Sequence, residues 1–176
     1  MTLSHHPSTL PLSTPGAENG RFTLAALRAR LLATDGSPGP LVARVALGLI
    51  LFPHGAQHAL GWFGGYGFSG TLGWMTGTLG FPAPLAAFGI VTELLAPIAL
   101  VAGLGGRLAA GLLLFHMAFA ASTHVKAGFF MNWFGRLPTG EEGFEYHLLA
   151  MALAAVVVLA GSGALSVDRS LTRRAG

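Results

Sequence analysis

At 176 residues, 52% hydrophobic and only 10% charged, this sequence falls far below the roughly 25% charged content of an ordinary soluble domain. A water-soluble globule is excluded. The net charge is +3, with the basic residues gathered toward the chain ends rather than striped among aromatics, which argues against nucleic acid as a partner and for an anionic membrane face.

The chain contains no cysteine, which excludes disulfides, thiolate metal sites, cysteine-held iron–sulfur clusters and thiol redox chemistry. Any redox role then rests on a bound cofactor, a diffusible carrier or a partner subunit. In chain order, residues 1–40 read as a cytoplasmic tail punctuated by Pro7, Pro11, Pro15, Pro38 and Pro40. No long apolar run follows a basic start, so no cleaved leader is expected. Within the tail, residues 22–33 (FTLAALRARLLA) form an expected amphipathic helix, with Leu24, Leu27 and Leu31 on one side and Arg21, Arg28 and Arg30 turned toward lipid phosphates.

A first span is expected over residues 41–60, close to the ~20 residues that a bilayer core of about 30 Å requires. The stretch 61–83 holds eight glycines and six aromatics but no charge. It is too glycine-rich for a lipid-facing helix and suggests an aromatic belt (Trp62, Tyr66, Trp74) with a short interfacial or re-entrant turn over 71–79. Further spans are expected over 84–104, 107–125 and 146–163, and residues 169–176 as a basic tail. The fold class is an all-α membrane protein: four transmembrane helices in an up-down bundle over residues 41–168, preceded by the short N-terminal amphipathic helix. Eight of the ten Lys and Arg residues (Arg21, Arg28, Arg30, Arg44, Arg107, Arg169, Arg173 and Arg174) fall at one end, which predicts a bacterial inner-membrane protein with both termini cytoplasmic.

An ionisable side chain inside a span costs about 2.5–3.5 kcal/mol even on lenient insertion scales, so each one needs a reason. Glu93 is the only formal charge between Arg44 and Arg107. Its place in the second span is near mid-membrane, and counting inward from Arg107 brings His116 to the same depth, where the two would share a proton or form an ion pair. Pro97 removes the helical hydrogen bond to the Glu93 carbonyl. Nearer the outer surface, the motif HGAQH puts His54 and His58 at i and i+4 on one helical face, with Gln57 on the His54 side. Three readings stay open for the histidine pair: interhelical hydrogen bonding, a proton- or quinone-facing role, and metal or haem ligation. Two imidazoles alone do not complete a metal site. His124, Glu145 and His147 converge with them by depth, and each is expected as a solvated helix end.

These residues resemble the DoxX family of small four-helix bacterial membrane proteins. The resemblance runs from about Arg44 to Asp168 and is carried by Arg44 with Gly48, HGAQH, GFPAP, TELLAPIALVAGLGGR and GSGALSVD. It implies a redox-linked membrane subunit of the kind associated with thiosulfate:quinone oxidoreductase. Glu93 stands at the family's span-two glutamate and His54 with Gly55 at its span-one HG, while His58 takes a position commonly held by lysine. The expected function is therefore a quinone-linked oxidoreductase subunit. Glu93 and His116 are its candidate catalytic pair, and His54, Gln57 and His58 its candidate quinone-binding groups. Its expected partners are the lipid bilayer and a soluble or membrane redox subunit or second copy of the chain. The rivals are a non-enzymatic accessory subunit that recruits a soluble partner, and a small proton-coupled carrier.

Overall fold

The computed structural model describes residues 23–136, 138 and 141–174. Phe22, the first residue of the expected surface helix, and Arg21 just before it lie outside that set. Helix α1, Leu24–Leu32, begins at Thr23, whose hydroxyl accepts from the Ala26 amide at 3.2 Å and so satisfies one orphan donor of the first turn. Helix α2, Pro38–Leu60, starts on Pro38 and Pro40, which bring no N–H to a turn that cannot pair it. It stops at Gly61, whose φ of 73° favours glycine.

A 3-10 turn at Trp62–Gly64 leads into α3, Gly67–Gly77. The remaining helices are α4, Ala83–Ala102; α5, Gly106–His124; α6, Glu145–Ala160; and α7, Val167–Arg174. Helix α2 packs on α4, α4 on α5, α5 on α6, and α6 back on α2. This closes the four-helix up-down bundle. The first three of these are long and apolar enough to cross a membrane, whereas α6 has 16 residues and rises only about 24 Å.

Leu47, Leu51, Ile90, Leu100, Leu113 and Val157 fill the interior, while Leu49, Leu95, Leu108 and Leu159 stay exposed on the outside. An apolar exterior around an apolar core is what a bilayer demands, and packing there depends on close approach rather than on expelling water. Gly48 and Gly55, seven residues apart on α2, provide it. A side-chain carbon on Gly48 would lie 2.8 Å from the Pro97 carbonyl oxygen, and one on Gly55 would lie 2.2 Å from that of Glu93. The carbonyl that Pro97 releases therefore faces the bare backbone of α2.

Two elements depart from the sequence expectation. The turn expected over 71–79 is an 11-residue helix that starts earlier, at Gly67, because contacts with α2 and α4 override the weak helical propensity of its glycines. The segment expected as a tail carries α7, tied down through Asp168. Buried Asp168 accepts from the Gly105 and Gly106 amides at 2.8 and 3.0 Å and from Ser162 Oγ at 2.6 Å. It thereby caps the start of α5.

Arg44, counted in the sequence among the basic residues at one end of the bundle, is buried. It is 1% exposed and donates to the carbonyls of Leu100, Val101, Ser162, Ala164 and Leu165 at 2.6–3.1 Å. These are acceptors of the last turn of α4 and of the bend after α6, and the Leu100 carbonyl also takes the Gly103 amide at 3.0 Å. Arg107 acts similarly, donating to the Val158 and Leu159 carbonyls at the end of α6 and to Ala33 beyond α1.

Candidate functional site

The Gly55–Glu93 contact fixes the register of α2 against α4, and the site follows from that register. From Gly55 to the end of α2 is five residues, and from Glu93 back to the start of α4 is ten. Helix α4 thus projects about 7.5 Å beyond α2. His58, one turn after Gly55, consequently reaches Glu93 instead of lying nearer the surface. One hydrogen bond joins His58 Nδ1 to Glu93 Oε2 across 2.6 Å. His116 Nε2 of α5 stands 3.8 Å from the same oxygen. The expected Glu93–His116 pairing is present, but His58 is the closer partner. Depth counted from each helix end could not show this, because the helices do not start level.

Glu93 is 6% exposed and lies at the inner end of a cavity of about 500 Å³. All five histidines among the described residues line it: His54, His58, His116, His124 and His147. The His124 and His147 rings are 4.8 Å apart, and His124 Nδ1 donates to the Glu142 carbonyl at 2.7 Å. His54 lies 6.4 Å from the Tyr146 ring. The two histidines expected as solvated helix ends are thus part of the cavity wall. Glu145 is not; its carboxylate accepts from Trp133 Nε1.

Gln57 does not line the cavity. It points to the other side of α2, where its amide donates to the Phe63 carbonyl at 3.3 Å and fastens the 3-10 turn. At i+3 from His54 it shares only the edge of that helical face, and the turn captures it. Three further wall residues were not among the candidates read from the sequence: Trp74, expected in an aromatic belt, Thr71, expected to open a turn, and Tyr146. An unpaired polar atom is visible only once its surroundings are: Thr71 Oγ1, Tyr146 Oη and His147 Nδ1 are buried among the described residues without a hydrogen-bond partner. All three residues line this cavity.

Orphaned buried polar atoms are uncommon and each calls for a partner. A flat ligand with apolar faces and carbonyl oxygens fits this set, since the hydroxyls and an imidazole N–H can donate while Trp74, Phe81 and Phe119 supply apolar walls. Among the described residues no three His, Asp or Glu side chains are placed to hold one metal ion.

The DoxX family model matches residues 39–133, more than half of the chain. The match covers α2 to α5, with His54, His58, Glu93 and His116, and ends before α6. No curated protein and no solved structure matches the chain.

Proposed function

Since this chain belongs to the DoxX family and is an integral membrane protein, we propose that it serves a quinone-linked redox system of a bacterial inner membrane, both termini cytoplasmic, as an oxidoreductase subunit. The observation that carries this reading is a carboxyl group bonded to an imidazole from a second helix and flanked by one from a third, at the end of a cavity with unsatisfied donors. A quinone taken up there from the bilayer supplies electron-accepting chemistry coupled to proton uptake, the electrons coming from a soluble or membrane redox partner.

The chain's own residues do the positioning and the proton handling. Tyr146 and Thr71 offer O–H donors to carbonyl oxygens of the head. Glu93 and His58 hold one proton between them at 2.6 Å, a separation at which it passes from one to the other with little heavy-atom movement. His116, at 3.8 Å, is the next carrier. His147 and His124, in ring contact, continue the series to the loop end of the cavity. Such a series explains why groups this costly in lipid are grouped rather than scattered.

The test is a quinone titration of the purified protein in lipid nanodiscs, read by tryptophan fluorescence, alongside quinone-dependent redox turnover in membranes. Binding with turnover that falls at least tenfold in Glu93→Gln, on the order of one catalytic proton-transfer contribution, supports the reading. Absence of quinone binding, or turnover unchanged in Glu93→Gln, rejects it. Loss of cellular function on deletion of residues 1–36 with Glu93→Gln silent would favour an accessory subunit that recruits a soluble partner.

A further inference from the structure

A second and narrower space adjoins the Glu93 cavity on its bilayer side. This groove runs between α4 and α5, holds about 80 Å³, and is bounded by Leu85, Phe88, Gly89, Leu112 and Phe115. Leu85, Phe88 and Phe115 are 43%, 51% and 64% exposed on the apolar outer face, so the groove opens toward acyl chains. Thr92 and His116 are its only polar side chains.

Met75, Phe81, His116 and Phe119 line both spaces. The Phe81 and Phe119 rings, 4.7 Å apart, stand between the two. His116 Nε2 lies 3.8 Å from Glu93 Oε2, while its Cε1–Nδ1 edge faces Gly89, where an added side-chain carbon would sit 3.6 Å away. Gly89 keeps the groove open: a carbon there meets His116 at an ordinary contact distance, but a longer side chain would fill the space over the imidazole.

We propose that this groove is the apolar-chain subsite of the ligand whose polar head occupies the Glu93 cavity. A single isoprenoid or alkyl chain lies between α4 and α5 and joins a head in the Glu93 cavity beside Phe81 and Phe119, which line both spaces. The inference rests on the quinone reading above and adds to it the side from which the ligand comes and the part of it that the protein reads. A chain leaving lipid for an apolar groove gains little from desolvation, so the gain comes from contacts with Phe88, Leu112 and Phe115 and from orienting the head.

The experiment compares two benzoquinones with the same head, one carrying a decyl chain and one a methyl group, on protein in nanodiscs with Trp62→Phe and Trp133→Phe, so that Trp74 in the cavity wall reports head binding. Gly89→Leu is expected to weaken the decyl compound by about tenfold and leave the methyl compound unchanged, while Gly111→Leu, at a glycine of α5 with open space around it, weakens neither. A decyl chain ending in bromine should quench a tryptophan placed by Phe115→Trp with the midpoint seen at Trp74, and should not do so at Leu95→Trp on the neighbouring lipid face. Equal weakening of both compounds by Gly89→Leu, or no saturable quenching at Phe115→Trp while Trp74 still reports binding, overturns the subsite and leaves the head site standing. Failure of both compounds to bind the parent protein overturns the head site and the subsite together.

Discussion

Gly55 of α2 and Glu93 of α4 meet backbone to backbone, so closely that a side-chain carbon on Gly55 would lie 2.2 Å from the Glu93 carbonyl oxygen. The glycine removes the obstruction and Pro97 removes the competing amide, which leaves that oxygen turned toward α2. One turn further along α2, His58 then meets the side chain of the same glutamate. A single helix contact thus sets both the packing of the bundle and the geometry of its polar centre.

Gly55→Ala therefore forces α2 and α4 apart. Overpacking of this kind costs about 1–3 kcal/mol, and the displacement lengthens the His58–Glu93 hydrogen bond. The expected outcome is a lower unfolding temperature in detergent together with impaired quinone-dependent turnover. Gly73→Ala, at a glycine with open space around it, should change neither.

The two histidines beside Glu93 should contribute unequally, because one is bonded to the carboxyl group and the other stands 3.8 Å away. His58→Gln is expected to reduce turnover more than His116→Gln. The infrared band of the Glu93 carboxyl, identified by its loss in Glu93→Gln, should move more in His58→Gln. Equal shifts in the two variants would contradict the geometry.

Arg44 closes the opposite end of the bundle through carbonyls from α4 and from the bend after α6. Hydrogen bonds from a charged donor contribute about 1.5–3 kcal/mol each, and buried acceptors left without partners cost about 1–3 kcal/mol apiece. Arg44→Met is expected to destabilise the protein by on the order of 3 kcal/mol or more, seen as a sharply lower unfolding temperature. Arg44→Lys should recover only part of the loss, since an ammonium cannot span acceptors placed for a guanidinium fork.

Asp35, in the link between α1 and α2, gives a pH signature. The hydroxyl and amide of Ser37 donate to its carboxylate at 2.7 and 3.0 Å, which holds its pKa below the ordinary aspartate value. A carboxyl group lowered on folding favours the folded link above its unfolded pKa, and the benefit fades as pH falls through the folded value. In Ser37→Ala the Asp35 titration, followed by carboxyl carbon NMR, should move upward toward the ordinary value.

The charge bias across the bundle predicts orientation. Ala29 in α1 and Ser69 in α3 are both exposed, and the absence of native cysteine makes single-cysteine labelling clean. Ser69→Cys should react with an impermeant reagent in intact cells, and Ala29→Cys only after permeabilisation. The reverse pattern would invert the proposed topology.

Composition by itself determined that this protein lives in a bilayer. Long uncharged tracts leave no other solvent, and their lengths placed the four bundle helices to within a few residues. Glu93, His54, His58 and His116 were legible as candidates for the same reason, since an ionisable group in a span stands out against an apolar background. Which of them touch was decided only by tertiary structure, because partner choice depends on the offset between neighbouring helices and Gly55 sets that offset where no periodicity records it. The same holds for Gln57, which the turn at Phe63 draws away, and for Thr71, Tyr146 and His147, whose unpaired atoms have meaning only inside an enclosed space. Arg44 and Asp168 passed in the sequence as a flanking charge and a motif end; helix termini from distant parts of the chain, packed together, are what make them buried ties.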